Sequence, residues 1–250
     1  MSGRRVGICQ RPSIGTVMPW RGEVAFEDEA LAFRGESAEN RFHAHAAVQC
    51  VYAAGGVRIR DADGTCFDGV GWVIQSGTSH CLEPAPSITL LLIEPQSRLA
   101  AALVVASADQ PIAPIPQDIA AALTVEGALS QALATFKQRV VGPRPVIDRR
   151  IVAALDRLDV ITNRDVAAAA AASAGISPSR LRALCRAQFG VPFAKLVLWR
   201  KVRRACVALN IGRSLAQAAA DAGFSDQAHL TRTMVEVIGL TPGVAAHAAE

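Results

Sequence analysis

Histidine is scarce in this chain, five in 250 residues, and three of the five fall where they could be gathered. His43 and His45 are two apart and Gln49 follows four later. Side chains at even spacing on an extended strand share one face, so all three would point the same way. His80 follows the turn-rich run Gln75-Ser76-Gly77-Thr78-Ser79 and would reach the same mouth from a distant strand. Three imidazoles with an oxygen ligand suit zinc, iron, nickel or copper. The same groups are also compatible with plain structural histidines. Trp72 and Trp20 would line a pocket or fill the core.

A second set of polar side chains sits near the C-terminus. Asp226, Gln227, His229 and Arg232 share the outer face of one expected helix, and Ser179, Arg180, Arg182 and Arg186 that of another. Their chemistry fits base edges and phosphates. Local punctuation defines the helices that would carry them. Ser214 with Gln217 three residues on is a capping box, Leu215, Ala218, Ala219 and Ala222 repeat at helical spacing, and Gly223 can end the helix in a left-handed conformation. Phe224 would plug the corner. Ser225 then reads as an N-cap before the stripe Leu230, Met234 and Val237, with Gly239 as the stop. The same grammar occurs earlier: an alanine-rich helix over 165–172, a turn at Gly175, the N-cap Ser177 with Pro178 behind it, buried positions Leu181, Leu184, Cys185 and Phe189, and Gly190. Between the two units, 193–210 carries Leu198, Val202, Ala205 and Leu209 as one connecting helix. If straight, it would set the two readers in successive major-groove segments about 34 Å apart.

At this point the chain resembles the AraC/XylS family of bacterial transcription regulators, whose C-terminal domain joins two helix-turn-helix units through a linker helix. The resemblance rests on AGFSDQAHLTRTMVEVIGLTP at the second unit and on GISPSRLRALCRAQFGVPF and WRKVRRA at the first unit and linker, and covers roughly 146–250. Met234 departs from the family's usual aromatic, a gap a flexible thioether fills. Ala183 departs where a reading side chain is common. Further upstream, His43-Ala44-His45, Gln49, Gly55-Gly56 and Gly71 through His80 resemble the two motifs of a cupin, a sensor domain that many such regulators carry. Enzymatic cupins have Glu where Gln49 stands, and a neutral amide is the poorer ligand for a dication, which disfavours catalysis. The resemblance implies promoter DNA as partner, a small-molecule or metal effector, a homodimer and RNA polymerase as a further contact. A metal-responsive regulator and a metal-dependent cupin enzyme are the alternatives.

Charge divides the chain in the same sense. Residues 143–250 hold 15 Lys and Arg against 8 Asp and Glu, residues 1–142 hold 11 against 14, and no acidic residue occurs over 166–220. A basic half attracts phosphate, with Arg200, Lys201, Arg203 and Arg204 forming the densest stripe and Arg203 expected to act on non-specific affinity. With 51% hydrophobic residues the chain can fill two cores. The expected class is α+β: a cupin-like β-barrel over 1–108, with strand-like runs at 46–52, 57–60, 72–74 and 88–93, a helical dimerisation and linker segment over 109–145, with one helical pattern over 119–140, and an all-α DNA-binding domain over 146–250. No apolar run approaches the roughly 18 residues of a membrane span and the N-terminus lacks an apolar leader, which points to the cytoplasm. Cys9, Cys50, Cys66, Cys81, Cys185 and Cys206 show neither a disulfide framework nor a zinc spacing.

Overall fold

Residues 21–93 alternate in a way that buries both faces of a sheet. Leu31, Phe33, Val51, Ile74, Leu90 and Leu92 share one apolar cluster, whereas their strand neighbours Ala30, Ala32, Cys50, Val73, Leu91 and Ile93 share another. This separation is what the two-residue period of a strand imposes when each face is covered. The computed structural model describes residues 4–6, 20–38, 40–124, 127–159 and 166–246. Cys9 and the expected helix start at Asp165 lie outside the described residues.

The sheet is antiparallel. Its strands are β1 (Arg4–Val6), β2 (Arg21–Glu27), β3 (Ala30–Ser37), β4 (Val48–Asp61), β5 (Cys66–Ile74), β6 (His80–Leu82), β7 (Ala85–Ile93) and β8 (Ile112–Pro114). The order is β1-β5-β4-β7-β3-β2, with β6 added to β4 and β8 to β5. The order does not close into a ring, so the expected cupin-like barrel is not present as a closed one: among the described residues β3 is the strand partner of β2. The two runs expected at 46–52 and 57–60 form one strand, β4, whose register shifts between Tyr52 and Val57. Gly56, at φ 94°, supplies the backbone freedom for that irregularity. Beyond it β4 exchanges its neighbour, pairing with β7 over Val48 to Tyr52 and with β6 over Ile59 to Asp61.

Helices α1 (Arg98–Ala106), α2 (Gln117–Leu123) and α3 (Leu129–Arg139) follow the sheet. Ser97 caps α1 by accepting from the Ala100 amide at 3.0 Å. Leu99 and Leu103 of α1, Ile119 and Leu123 of α2, and Leu129, Leu133 and Phe136 of α3 all join the cluster on the second sheet face. The single helix expected over 119–140 is therefore two, interrupted after Leu123, with Gly127 at φ 106° between them. The chain then runs without regular structure to Asp148, held to α1 where Arg98 Nη2 donates to the Gly142 carbonyl at 3.2 Å.

The remaining elements are α4 (Arg149–Asp156), α5 (Val166–Ser173), α6 (Pro178–Phe189), α7 (Phe193–Asn210), α8 (Leu215–Asp221), α9 (Gln227–Ile238) and α10 (Pro242–Ala246). The first sheet face and these helices share one continuous apolar cluster, running from Phe33 and Leu92 to Trp199, Phe193, Leu196 and Met234. Among the described residues no helix is long and apolar enough to cross a membrane.

Candidate nucleic-acid interface and imidazole cluster

Each helix-turn-helix unit is set by its caps. In the first, Gly175 at φ 66° turns the chain after α5, the Ser177 hydroxyl accepts from the Arg180 amide at 3.2 Å, Pro178 opens α6, and Gly190 at φ 70° closes it. Leu181 and Cys185 point inward, while Leu184 and Phe189, expected among the buried positions, are only partly covered. Ser179, Arg180, Arg182 and Arg186 are exposed, and the Ser179 hydroxyl lies 2.9 Å from that of Ser177. In the second, the capping box of Ser214 and Gln217 is complete, with both reciprocal bonds formed, and Gly223 at φ 75° leads to the buried Phe224. Leu230, Met234 and Val237 are the buried stripe of α9.

The start of α9 differs from expectation by one residue. Asp226, not Ser225, is the N-cap, its carboxylate accepting from the His229 amide at 2.7 Å. Backbone and Ser225 hydroxyl donors hold this carboxyl below its usual range. Asp226 is thus committed to the helix end, an acceptor aimed at its own backbone. The His229 ring is placed by a 3.0 Å contact with the Ser225 hydroxyl and an edge-on packing against Phe224 at 5.2 Å. Gln227 and Arg232 are exposed beside it.

The basic stripe of α7 is turned inward, which corrects its expected role on phosphate. Arg203 Nη2 donates to the carbonyls of Glu27, at 2.7 Å, and Asp28 in the β2–β3 turn. Arg203 and Arg200 flank Glu94 at 3.7 and 3.9 Å, and Glu94, at the end of β7, is only 4% exposed. Lys201 donates to the Gly223 carbonyl at 2.9 Å and Arg204 to those of Leu158 and Ala222, both at 3.4 Å. The cause is non-local: one buried carboxylate and a set of free carbonyls face the helix. Nothing in the local sequence around α7 signals Glu94 as its partner.

The three imidazoles meet. Only Gln49 lies within β4; His43 forms an isolated bridge to His80, with paired backbone bonds of 3.0 Å, and His45 sits in the connection between that bridge and β4. All three are buried, and their ligand atoms lie within 4.8 Å of one another. Nδ1 of His43, His45 and His80 contacts the carbonyls of Arg41, Ala47 and Thr78 at 2.9, 2.9 and 3.0 Å. A carbonyl only accepts, so each ring carries its proton on Nδ1 and leaves Nε2 as a lone pair. Gln49 Oε1 stands 3.0 Å from His45 Nε2 and 3.2 Å from His80 Nε2. Burial lowers the basicity of all three rings, that of His45 to about 4, so they are neutral ligands at ordinary pH. The chemistry of this donor set fits a divalent transition metal: three neutral imidazoles with carbonyl partners behind them, and one amide oxygen.

Trp72, the other expected pocket residue, is a core side chain, 2% exposed, its indole N–H donating to the Val57 carbonyl at 3.3 Å and its ring edge-on to Phe67. A shallow cleft of about 210 Å³ opens beside Ala102, Ile119 and Val140, among the helices that cover the second sheet face. Cys50, Cys66, Cys81, Cys185 and Cys206 are buried, and burial pushes the Cys206 thiol up to about 12.

A family model described as a helix-turn-helix domain matches residues 170–247. No curated protein matches the chain in sequence. Among solved structures, an apo ToxT variant from Vibrio cholerae is similar with a TM-score of 0.60 at 11% identity, covering 92% of this chain and 100% of that one. Wild-type ToxT with an unsaturated fatty acid bound gives 0.56 at 10% identity, covering 86% and 94%. ToxT bound to a naphthalenyl butenoic acid gives 0.55 at 8%, covering 89% and 100%. Identities this low establish a likeness of fold, and it spans both the sheet and the helical half.

Proposed function

The chain carries a helix-turn-helix domain of the AraC type at its C-terminus, and from that premise we propose that it is a sequence-specific transcription regulator whose promoter binding is controlled by an effector in the N-terminal domain. The observation that carries this reading is the pair of capped reading helices, α6 and α9, joined by the single helix α7, with Arg180, Arg182, Gln227, His229 and Arg232 exposed near their N-terminal ends. In helix-turn-helix proteins that end of the second helix enters the major groove, where Arg recognises guanine and Gln adenine. Two such ends on one rigid connection fit two adjacent groove segments, so the operator is a bipartite duplex site.

The effector reading draws on the N-terminal domain: a mostly apolar sheet that gathers four polar side chains, His43, His45, Gln49 and His80, at one point. A ligand there would act by population shift, favouring one placement of the DNA domain over another by its difference in affinity for the two. A non-catalytic role follows from the same site, where the neutral Gln49 replaces the carboxylate a metal-dependent cupin enzyme would use. The homodimer expected through 109–145 would have to use the outer face of α3, because Leu129, Leu133 and Phe136 are spent on the sheet. RNA polymerase is a natural further contact for a regulator bound at a promoter.

Selection from a random duplex library by the full-length protein tests the reading. Recovery of one bipartite sequence, lost when Arg182 and Arg232 are both replaced by Ala, is the expected result. Recovery of no sequence above the starting pool would overturn it.

A further inference from the structure

Asp226, Ser225 and His229 form a chain of hydrogen bonds at the start of α9, and its acidic end fixes the direction of every bond in it. Asp226 Oδ1 accepts from the His229 amide at 2.7 Å and Oδ2 from the Ser225 hydroxyl at 3.0 Å. A carboxylate only accepts, so the single hydroxyl proton of Ser225 is spent on Asp226. The Ser225 oxygen, 3.0 Å from His229 Nδ1, has only lone pairs left to offer the ring. Nδ1 therefore carries the ring proton, and Nε2 of the neutral imidazole is a lone pair.

The ring is held in place as well as in tautomer. Phe224, itself buried, packs edge-on to it at 5.2 Å. Lys201 of α7 steadies that corner, donating to the Gly223 carbonyl at 2.9 Å with its Nζ 5.8 Å from the Phe224 ring centre. His229 is exposed, and among the described residues no hydrogen-bond partner meets Nε2. Beside it Arg232 only donates and Gln227 can do either, whereas Nε2 so held can only accept.

A pure acceptor has few partners in the major groove. The amino groups at adenine N6 and cytosine N4 donate, while guanine N7 and O6 and thymine O4 would meet it lone pair to lone pair. We propose that His229 reads the exocyclic amino group of an adenine or a cytosine through Nε2, and that Ser225 is the positioning residue that holds the ring in its accepting tautomer. The base preference rests on the regulator reading above, but the tautomer does not. A histidine without this chain could move its proton to Nε2 and donate to guanine or thymine instead, so the selectivity comes from Ser225 and Asp226 as much as from the ring. Asp226→Asn exposes that dependence. The asparagine oxygen can keep the cap while its Nδ2–H stands where Oδ2 stood, and the Ser225 proton is then free to turn to Nδ1 and drive the ring proton to Nε2.

Two readouts on the full-length protein at mildly alkaline pH test this. Without DNA, long-range proton–nitrogen spectra of the imidazole rings, with His229 identified as the signals lost in His229→Gln, should show the Nδ1-protonated pattern in the native chain and in Ser225→Thr. Ser225→Ala and Asp226→Asn should lose that pattern. With DNA, the position of a selected duplex whose preference disappears in His229→Ala should carry adenine or cytosine. Replacing that base by purine or pyrimidin-2-one, which lack the amino group, should weaken native binding by about tenfold, the scale of one buried acceptor left unpaired, and Asp226→Asn binding by less than about twofold. An Nε2-protonated His229 in the native chain, or the native pattern retained in both Ser225→Ala and Asp226→Asn, would overturn the positioning. Guanine or thymine at that position, no position answering to His229→Ala, or native binding indifferent to the missing amino group would overturn the base assignment. Failure to select any sequence would count against the regulator reading instead, and the ring spectra, recorded without DNA, would still decide the tautomer.

Discussion

At the scale of residues, the reading helices divide their polar side chains between holding the fold and facing solvent. Arg182 and Arg232 are exposed with their guanidinium groups outward, and each is expected to recognise a base. Arg182→Ala and Arg232→Ala should each weaken specific binding by about 1–3 kcal/mol in titrations at fixed salt, with relaxed preference at one position of the site. Asp226 belongs to the other group. As the N-cap of α9 its loss should show in stability: Asp226→Ala should lower the urea midpoint of unfolding, with Asp226→Asn nearly neutral, whereas a base-reading role would move DNA affinity and leave the melts alone. The exposed set was legible in the sequence because a 3.6-residue period separates outward from inward positions. The assignment of Asp226 was not, since Ser225 and Asp226 are both good caps and only the backbone decides between them.

The elements follow a similar rule: whatever is decided by neighbours in sequence could be read, and whatever is decided by distant partners could not. α7 spans Phe193–Asn210, the stretch its apolar repeat delimits, and the capping box at Ser214 is formed as its residue types require. By contrast, joining 46–52 to 57–60 in one strand depends on how β5, β6 and β7 pair along it, and the break between α2 and α3 on how their apolar faces reach the sheet. The inward turn of the α7 arginines is of the same kind. It makes a specific prediction for salt dependence. Removing a phosphate contact reduces the log–log salt slope of DNA binding by about 0.9, so Arg186→Ala should do so, while Arg203→Ala should leave the slope unchanged. An Arg203→Ala slope reduced like that of Arg186→Ala would mean that α7 lies on the DNA backbone after all.

On the scale of the whole molecule, two halves with different textures share one apolar cluster, and the polar contacts across it are few and specific. Glu94 is the principal one, a buried carboxylate between Arg200 and Arg203. Glu94→Gln should remove the buried counter-charge beside Arg203 and weaken the contact by about 2–4 kcal/mol, seen as faster amide exchange in α7 and in the β2–β3 turn with the sheet core unaffected. Uniform protection in that variant would show that the apolar cluster alone holds the halves together. The imidazole cluster was half legible: even spacing brought out His43, His45 and Gln49, and the run before it brought out His80. Its position against the DNA-binding half was not, because the contacts of Lys195 with Ala44 and of Gly77 with Val191 join residues more than a hundred positions apart.

If α6 and α9, joined through α7, engage DNA together, a hydroxyl-radical footprint on a duplex selected by the full-length protein should show two protected patches on one face, about one helical turn apart, with Arg182→Ala fading one and Arg232→Ala the other. A single patch, or two patches weakened equally by either variant, would contradict it.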